Sequence, residues 1–208
     1  MDHPDQHRVT AIEALERLYG APNPNSIRKE IPYLHPHYRA FIAASPFAIL
    51  ATSGPGGLDA SPKGDAPGFV TVEDEKTLLI PDRKGNNRID GLRNLITDPR
   101  VSLIFLIPGV GETLRVIGRA HISVDPALLK RFAIDGKEPR SVLAVHIESV
   151  YFHCSKAILR SKLWDPALHV DRKSLPSAGD ILSALTGAEV DGAKYDRELP
   201  ERLKTGLY

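Results

Sequence analysis

The hydrophobic positions of this chain follow a helical period at both ends and a strand period in the middle. Val9, Ile12 and Leu15, for example, lie on one face of a predicted helix that ends at Gly20. The helices predicted on this basis span residues 8–19, 37–44, 87–97, 126–133, 180–185 and 198–203. The change of period predicts three regions: an N-terminal helical segment (1–45), a central β domain (46–164) and a helical C-terminal tail (165–208).

Seven segments of the central region have the apolar pattern of strands, and turn residues separate them. They span residues 47–52, 58–61, 68–72, 77–80, 101–107, 113–124 and 141–154. Gly118 lies in the middle of one long strand, which indicates a bulge or the close approach of another backbone. Strands that are close in sequence favour antiparallel pairing, and this number of them favours a barrel. The pattern therefore predicts a mainly β fold with flanking helices.

The composition is that of a soluble globular protein, with 208 residues of which 42% are hydrophobic and 25% charged. A formal net charge of +1 argues against a dedicated nucleic-acid-binding protein, which normally carries a clear basic excess. Cys154 is the only cysteine, so neither an intrachain disulfide nor a cysteine-based metal site is expected. Residues 1–8 lack the apolar core of a signal peptide, and the apolar run at residues 101–107 is too short to cross a membrane. We therefore expect a cytoplasmic protein.

The most informative segment is a basic loop at residues 82–88, between a predicted strand and a predicted helix. Arg83, Lys84 and Arg88 supply three cations, and Gly85 lets the backbone approach a ligand closely. Because a helix N-terminus also attracts anions through its unpaired N–H groups, this loop is typical of a phosphate site. The alternative is an ordinary asparagine cap within a solvated basic turn. The loop fits neither a Walker loop nor a Gly-x-Gly-x-x-Gly turn.

Two further segments are candidates for ligand contact. Residues 60–68 interrupt the β region with Lys63, small residues and an aspartate, which suit the edge of a planar heterocycle; the alternative is a plain hairpin loop. Residues 154–164 follow the last long strand and carry three cations and the only tryptophan, Trp164; the alternative there is a basic turn with a core tryptophan. No group of histidines has the spacing of a metal site, and no serine lies in a nucleophile elbow.

Taken together, these segments resemble the pyridoxamine 5′-phosphate oxidase-like family of FMN-binding split barrels, and most of all a bacterial branch of it. The resemblance runs from about residue 41 to residue 164. Its matching segments are residues 61–65, 80–88, 113–120 and 155–164. In combination these segments are fairly specific for the family, whereas none of them is specific alone.

The resemblance implies a six-stranded antiparallel split β-barrel that forms a homodimer, with FMN in clefts at the subunit interface. The residues that it places at the FMN phosphate are Arg83, Lys84, Asn87 and Arg88. Those that it places along the flavin ring are Ser61, Lys63, Gly64 and Asp65. Those that would close the pocket, with the partner subunit as one source, are Lys156, Arg160, Ser161 and Trp164.

The function implied by this resemblance is FMN-dependent oxidoreduction, in which the flavin exchanges a hydride with a small substrate that the sequence does not identify. Two alternatives stay open: a non-catalytic flavin- or haem-binding sensor or carrier, and a reductase that uses the deazaflavin F420. The chain departs from the true oxidases after Trp164, where Asp165 and Pro166 follow, and the substrate-binding arginine and histidine of that family have no counterpart that we can place. Oxidation of vitamin B6 compounds is therefore not expected, and residues 165–208 could form a lid, a dimer arm or an appendage.

Overall fold

A computed structural model describes residues 7–208 of the chain. Its helices are α1 (Ile12–Tyr19), α2 (Pro24–Arg28), α3 (Pro36–Ala44), α4 (Asp90–Thr97), α5 (Pro126–Arg131), α6 (Lys156–Ser161), α7 (Ala178–Leu185) and α8 (Gly192–Thr205). Short 3-10 helices follow α6 at Pro166–Leu168 and Arg172–Ser174. Every helix predicted from the sequence is present with shifted ends, and α2 and α6 are additional. Residues 1–6, part of the predicted N-terminal helical segment and of the stretch expected to lack a signal peptide, lie outside the described residues.

The strands are β1 (Phe47–Gly54), β2 (Gly57–Gly64), β3 (Thr71–Val72), β4 (Thr77–Asp82), β5 (Arg100–Leu106), β6 (Thr113–Ser123) and β7 (Ser141–His153). They pair antiparallel in one sheet, in the order β2-β1-β5-β6-β7-β4-β3. The predicted mainly β architecture with flanking helices is confirmed. The expectation of six strands is wrong, because the turn after Val72 folds the chain back and Thr71 and Val72 pair with Leu79 and Leu78 as a seventh strand.

The main hydrophobic core lies on one face of the sheet, because the side chains of a strand alternate between its two faces. Leu50, Leu103 and Val116 on three different strands are at most 2% exposed. Burying a side chain of this kind contributes roughly 1.5–3 kcal/mol. Helices α3 and α4 add Ile42 and Leu95 to the same cluster. A smaller cluster, in which Leu79 and Val142 pack against Phe132 after α5, covers part of the other face. The central strands of the sheet are therefore well packed, and the polar strand β2 lies at one edge.

The pairing of β6 with β7 is interrupted at Gly118. The register shifts between Ile117 and Gly118. A Cβ at this position would overlap the backbone carbonyl of His146, so only glycine fits without a shift of the backbone. The bulge or close backbone approach that the sequence indicates at Gly118 is therefore confirmed.

Helices α7 and α8 form a hairpin that follows the sheet in sequence. Gly179 and Gly192 approach so closely that a Cβ on either would overlap the backbone carbonyl of the other. The chain then returns to the sheet at Tyr208, whose hydroxyl donates a hydrogen bond of 2.7 Å to Asp65. Within residues 7–208, none of the helices combines the length and the apolar character that crossing a membrane requires.

Candidate ligand-binding cleft

A cleft of about 630 Å³ lies between the two outer parts of the sheet. Its walls are β2, the end of β4, the loop at residues 83–89, the first turn of α4 and the start of β7. Strands β2 and β4 are far apart in the strand order, so the backbone does not pair them. Seven of the predicted site residues line this cleft together: Ser61, Lys63, Gly64, Arg83, Lys84, Asn87 and Arg88.

The contact between β2 and β4 is made by side chains. Lys63 Nζ lies 2.7 Å from Asp82 Oδ1, and the two side chains are 21% and 16% exposed. A charge-assisted hydrogen bond at this depth is stronger than a fully solvated ion pair, since water screens it less. The pair therefore holds the two walls together while leaving a gap between the strands.

Behind this pair, Asp65 holds the guanidinium of Arg83. Arg83 Nε donates to Asp65 Oδ2 at 3.0 Å, and its Nη1 donates to the carbonyl oxygen of Phe132 at 2.6 Å. Burial by itself raises the pKa of Asp65, but hydrogen bonds from Tyr208, the backbone N–H of Ala66 and Arg83 outweigh it and lower that pKa. Two of the five N–H donors of Arg83 are thus already engaged in positioning the loop.

The basic loop differs from the sequence prediction at its helical end. Helix α4 begins at Asp90 and not at residue 87, because Asn87 takes the left-handed conformation with φ of 63°. Arg88 is 81% exposed on its side chain and donates from Nε to Asp90 Oδ2 at 2.5 Å. The backbone N–H of Arg88 donates to Asn86 Oδ1 at 2.9 Å. The irregular loop before α4 is therefore three residues longer than expected, and it carries polar groups along its length.

Arg140 is a cleft residue that the sequence analysis missed. Its Nη1 donates to Asn87 Oδ1 at 2.7 Å. It reaches the loop because Asp82 at the end of β4 pairs with Ser141 at the start of β7. The signal available in the sequence was a cation immediately before a long strand, which indicates a contact only once the partner of that strand is known.

The charges in the cleft are not balanced. Its cations are Lys63, Arg83, Lys84, Arg88 and Arg140. Three of them are neutralised by carboxylates, in the pairs Lys63–Asp82, Arg83–Asp65 and Arg88–Asp90. Among the described residues, no carboxylate pairs with Lys84 or Arg140. These two side chains are therefore the cleft groups best suited to an incoming anion.

A further carboxylate, Asp59, occupies the side of the cleft next to α4. Ser61 Oγ donates to Asp59 Oδ2 at 2.5 Å. The same oxygen lies 2.7 Å from where a Cβ on Gly91 would stand, so Asp59 lies against the first turn of α4. A carboxylate there already interacts with the positive end of the helix and repels a second anion. The geometry thus favours an anion near Lys84 and Arg140 and away from the helix N-terminus.

The other predicted pocket residues lie elsewhere in the chain. Lys156, Arg160 and Ser161 are exposed on α6, and Trp164 Nε1 donates to the carbonyl oxygen of Val110 at 2.8 Å. Helix α6 follows the far end of β7, whereas the cleft lies at its start, which is about 40 Å away along the strand. These four residues therefore do not line the cleft of their own chain.

No curated protein matches the chain. Among solved structures, HupZ of Group A Streptococcus is 18% identical, with 56% of this chain and 91% of that chain covered and a TM-score of 0.47. A Clostridium acetobutylicum protein related to general stress protein 26 is 14% identical, with 57% and 86% covered and a TM-score of 0.44. An FAD-binding protein from Mesorhizobium loti is 19% identical, with 58% and 93% covered and a TM-score of 0.39.

The sequence model described as pyridoxamine 5′-phosphate oxidase matches residues 34–154. This match spans more than half of the chain, from just before α3 to the end of β7, and it contains every residue of the cleft. The chain therefore belongs to the pyridoxamine 5′-phosphate oxidase family.

Proposed function

We propose that the cleft binds FMN and that the protein is an FMN-dependent oxidoreductase acting on a small substrate. The observation that carries this proposal is the pair of cations, Lys84 and Arg140, in a cleft of the right size; no carboxylate of residues 7–208 neutralises either of them. A phosphate monoester carries up to two negative charges near neutral pH and matches that pair. Membership of the family makes a flavin the phosphate-bearing ligand to test first.

The residues present fit such a ligand at both ends. The cleft volume of about 630 Å³ lies within the range of ordinary small-molecule sites, roughly 300–1,000 Å³. Its lining combines the polar loop with apolar side chains, among them Pro62, Phe69 and Leu92, which suit the faces of a ring system. When bound, the flavin would supply hydride exchange, so the protein itself need not supply a nucleophile.

The chain's own side chains would then act in positioning. Lys84 and Arg140 would bind the phosphate, and Asn87 would orient Arg140 through the bond that its Oδ1 accepts. Arg83 would hold the loop through Asp65 and the carbonyl of Phe132. Ser61, Lys63 and Gly64 would lie along the ring on β2, with the charge of Lys63 partly neutralised by Asp82. We assign the flavin-binding unit to residues 46–164.

We further propose that the protein works as a homodimer in which each cleft is completed by the partner. The support is the separation between the cleft at the start of β7 and α6 beyond its end. Lys156, Arg160, Ser161 and Trp164 are too far from the cleft of their own chain, so a second copy is needed to deliver them to a flavin. An isologous dimer does this twice, once for each cleft.

The test is an absorbance spectrum of the purified protein, followed by anaerobic addition of NADH or NADPH. Two flavin bands that bleach on addition of the nicotinamide would support both binding and oxidoreduction. Flavin bands that persist would support binding and reject these electron donors. A colourless protein that does not take up added FMN would overturn the proposal.

A further inference from the structure

A second pocket, of about 490 Å³, lies beside helices α2 and α3. We call it the aromatic pocket, and it is lined by Arg28, Lys29, Ile31, Tyr33, His35, His37, Tyr38, Phe41 and Phe152. Its apolar lining is formed mainly by the rings of Tyr33, Tyr38, Phe41 and Phe152. An apolar cleft of this volume with a few polar groups has the ordinary composition of a small-molecule site.

The charged side chains of the aromatic pocket, Arg28 and Lys29, are basic. No acidic side chain of residues 7–208 lines it, and neither Arg28 nor Lys29 forms an ion pair with a described residue. Lys29 Nζ instead lies 4.4 Å from the centre of the Phe152 ring, in a cation–π contact. Two cations beside an apolar lining attract an anion more strongly than they attract a neutral molecule.

Two internal hydrogen bonds hold the lining in place. The hydroxyl of Tyr38 donates to the carbonyl oxygen of Lys29 at 2.7 Å, which fixes α3 against the residue that follows α2. The backbone N–H of His37 donates to His35 Nδ1 at 3.3 Å. A neutral imidazole that accepts at Nδ1 carries its proton on Nε2, so His35 keeps one donor available.

The aromatic pocket is separate from the cleft. Phe152 lies near the end of β7, whereas Ser141 at its start lines the cleft. Phe152 lies eleven positions after Ser141, which corresponds to about 36 Å along an extended strand. The two sites share no lining residue.

We propose that the aromatic pocket binds a small organic anion with an aromatic body, such as an aryl carboxylate, sulfonate or phosphate. The rings of Tyr33 and Phe152 contact the aromatic body of the ligand, and Arg28 and Lys29 bind its anionic group. This site does not depend on the flavin, so it can be tested whether or not the cleft binds FMN.

The experiment uses two fluorescent probes that differ in the charged group, 8-anilinonaphthalene-1-sulfonate and the neutral N-phenyl-1-naphthylamine. The full chain is titrated with each. The double variant Arg28→Glu with Lys29→Glu should bind the sulfonate about tenfold or more weakly, because two charge-assisted contacts are lost, and should bind the neutral amine as before. Tyr33→Ala should weaken the binding of both probes. The fold should tolerate this substitution, because Tyr33 is 39% exposed.

Two control variants complete the design. Lys130→Glu with Lys137→Glu makes the same charge change at exposed positions away from the pocket and should leave both affinities unchanged. Lys84→Glu with Arg140→Glu makes it in the cleft, which also suits an aromatic anion, so the sulfonate binding that this variant keeps belongs to the aromatic pocket. Equal sulfonate affinity in the Arg28→Glu, Lys29→Glu variant and the unaltered protein would overturn the proposal. So would a change of oligomeric state in Tyr33→Ala on sedimentation, which would assign the pocket to a subunit contact.

Discussion

The ammonium of Lys63 lies 2.7 Å from a carboxylate oxygen of Asp82, and this contact joins β2 to β4 where no backbone hydrogen bonds do. An open sheet of seven strands is thereby closed by side chains on one side. Because side chains are longer than a backbone hydrogen bond, the closure leaves room for a cleft. The same two residues that hold the walls together are thus the reason why a ligand has space between them.

Removing one member of this pair should destabilise the fold. We expect Lys63→Met and Asp82→Asn each to lower the free energy of unfolding by about 1–2 kcal/mol, since the pair is mostly buried and each change leaves an uncompensated polar group. The free energy of unfolding of the double variant should fall by less than the sum of the two single losses. Urea denaturation of the four proteins measures this coupling, and strictly additive losses would show that the pair does not act as a unit.

Lys84 and Arg140 should govern binding of the flavin phosphate. A charge-assisted hydrogen bond contributes about 1.5–3 kcal/mol, so Lys84→Ala or Arg140→Ala should weaken FMN binding roughly 10- to 100-fold. Fluorescence titration measures the affinity. Riboflavin, which lacks the phosphate, is the matched ligand control, and its affinity should not change.

Arg88→Ala provides the matched protein control for that prediction. Arg88 is 81% exposed and already paired with Asp90, so we expect its removal to reduce FMN affinity much less than removal of Arg140. An equal loss in both variants would place the phosphate at the start of α4, where the sequence analysis expected it.

Asp65 should make stability depend on pH in the acid range. The pKa of Asp65 is below its ordinary value of 3.8, so its contribution is fully present above that value and is lost as the pH falls through the lowered pKa. Asp65→Asn should lower the free energy of unfolding by about 2 kcal/mol at pH 7, because a buried charged acceptor is lost. The difference from the unaltered protein should shrink steadily below pH of about 4. Urea denaturation from pH 7 to pH 3 tests this, and a constant difference would contradict it.

The sequence predicted the elements and the basic loop better than it predicted the contacts between them. The apolar pattern and the turn residues between its segments located all seven strands, and Gly118 indicated the bulge in β6. The start of α4 was wrong because Asn87 takes a left-handed conformation while bonded to Arg140, a residue 53 positions away. Arg140 itself was missed because only the pairing of β4 with β7 brings it to the loop. Local propensity carries no information on such a pairing.

Gly118 should not tolerate even the smallest side chain. A Cβ there meets the carbonyl of His146, which is backbone and cannot rotate away. We expect Gly118→Ala to lower the free energy of unfolding by about 3 kcal/mol, the upper part of the range for overpacked cores. Gly56→Ala is the control, because nothing lies within 4 Å of a Cβ at that turn position. Equal stability of the two variants would show that the register at the bulge can shift without cost.

The proposal that two subunits share each cleft can be tested with two complementary variants. Variant Lys84→Ala, Arg140→Ala has a defective cleft in each subunit. Variant Lys156→Ala, Arg160→Ala has a defective α6 in each subunit, and both substituted side chains are exposed. If α6 completes the partner's cleft, each homodimer of a single variant has two defective sites. A heterodimer of the two variants, by contrast, contains one site built from the intact cleft of one chain and the intact α6 of the other.

We therefore expect a heterodimer, purified through a different tag on each chain, to bind about one FMN with the affinity of the unaltered protein, because the symmetry of the dimer leaves one site whole. Both homodimers should bind weakly in the same titration. If α6 instead served the cleft of its own chain, both sites of the heterodimer would be defective and no tight binding would return. The comparison thus separates a shared site from two independent ones, and it needs no knowledge of a substrate.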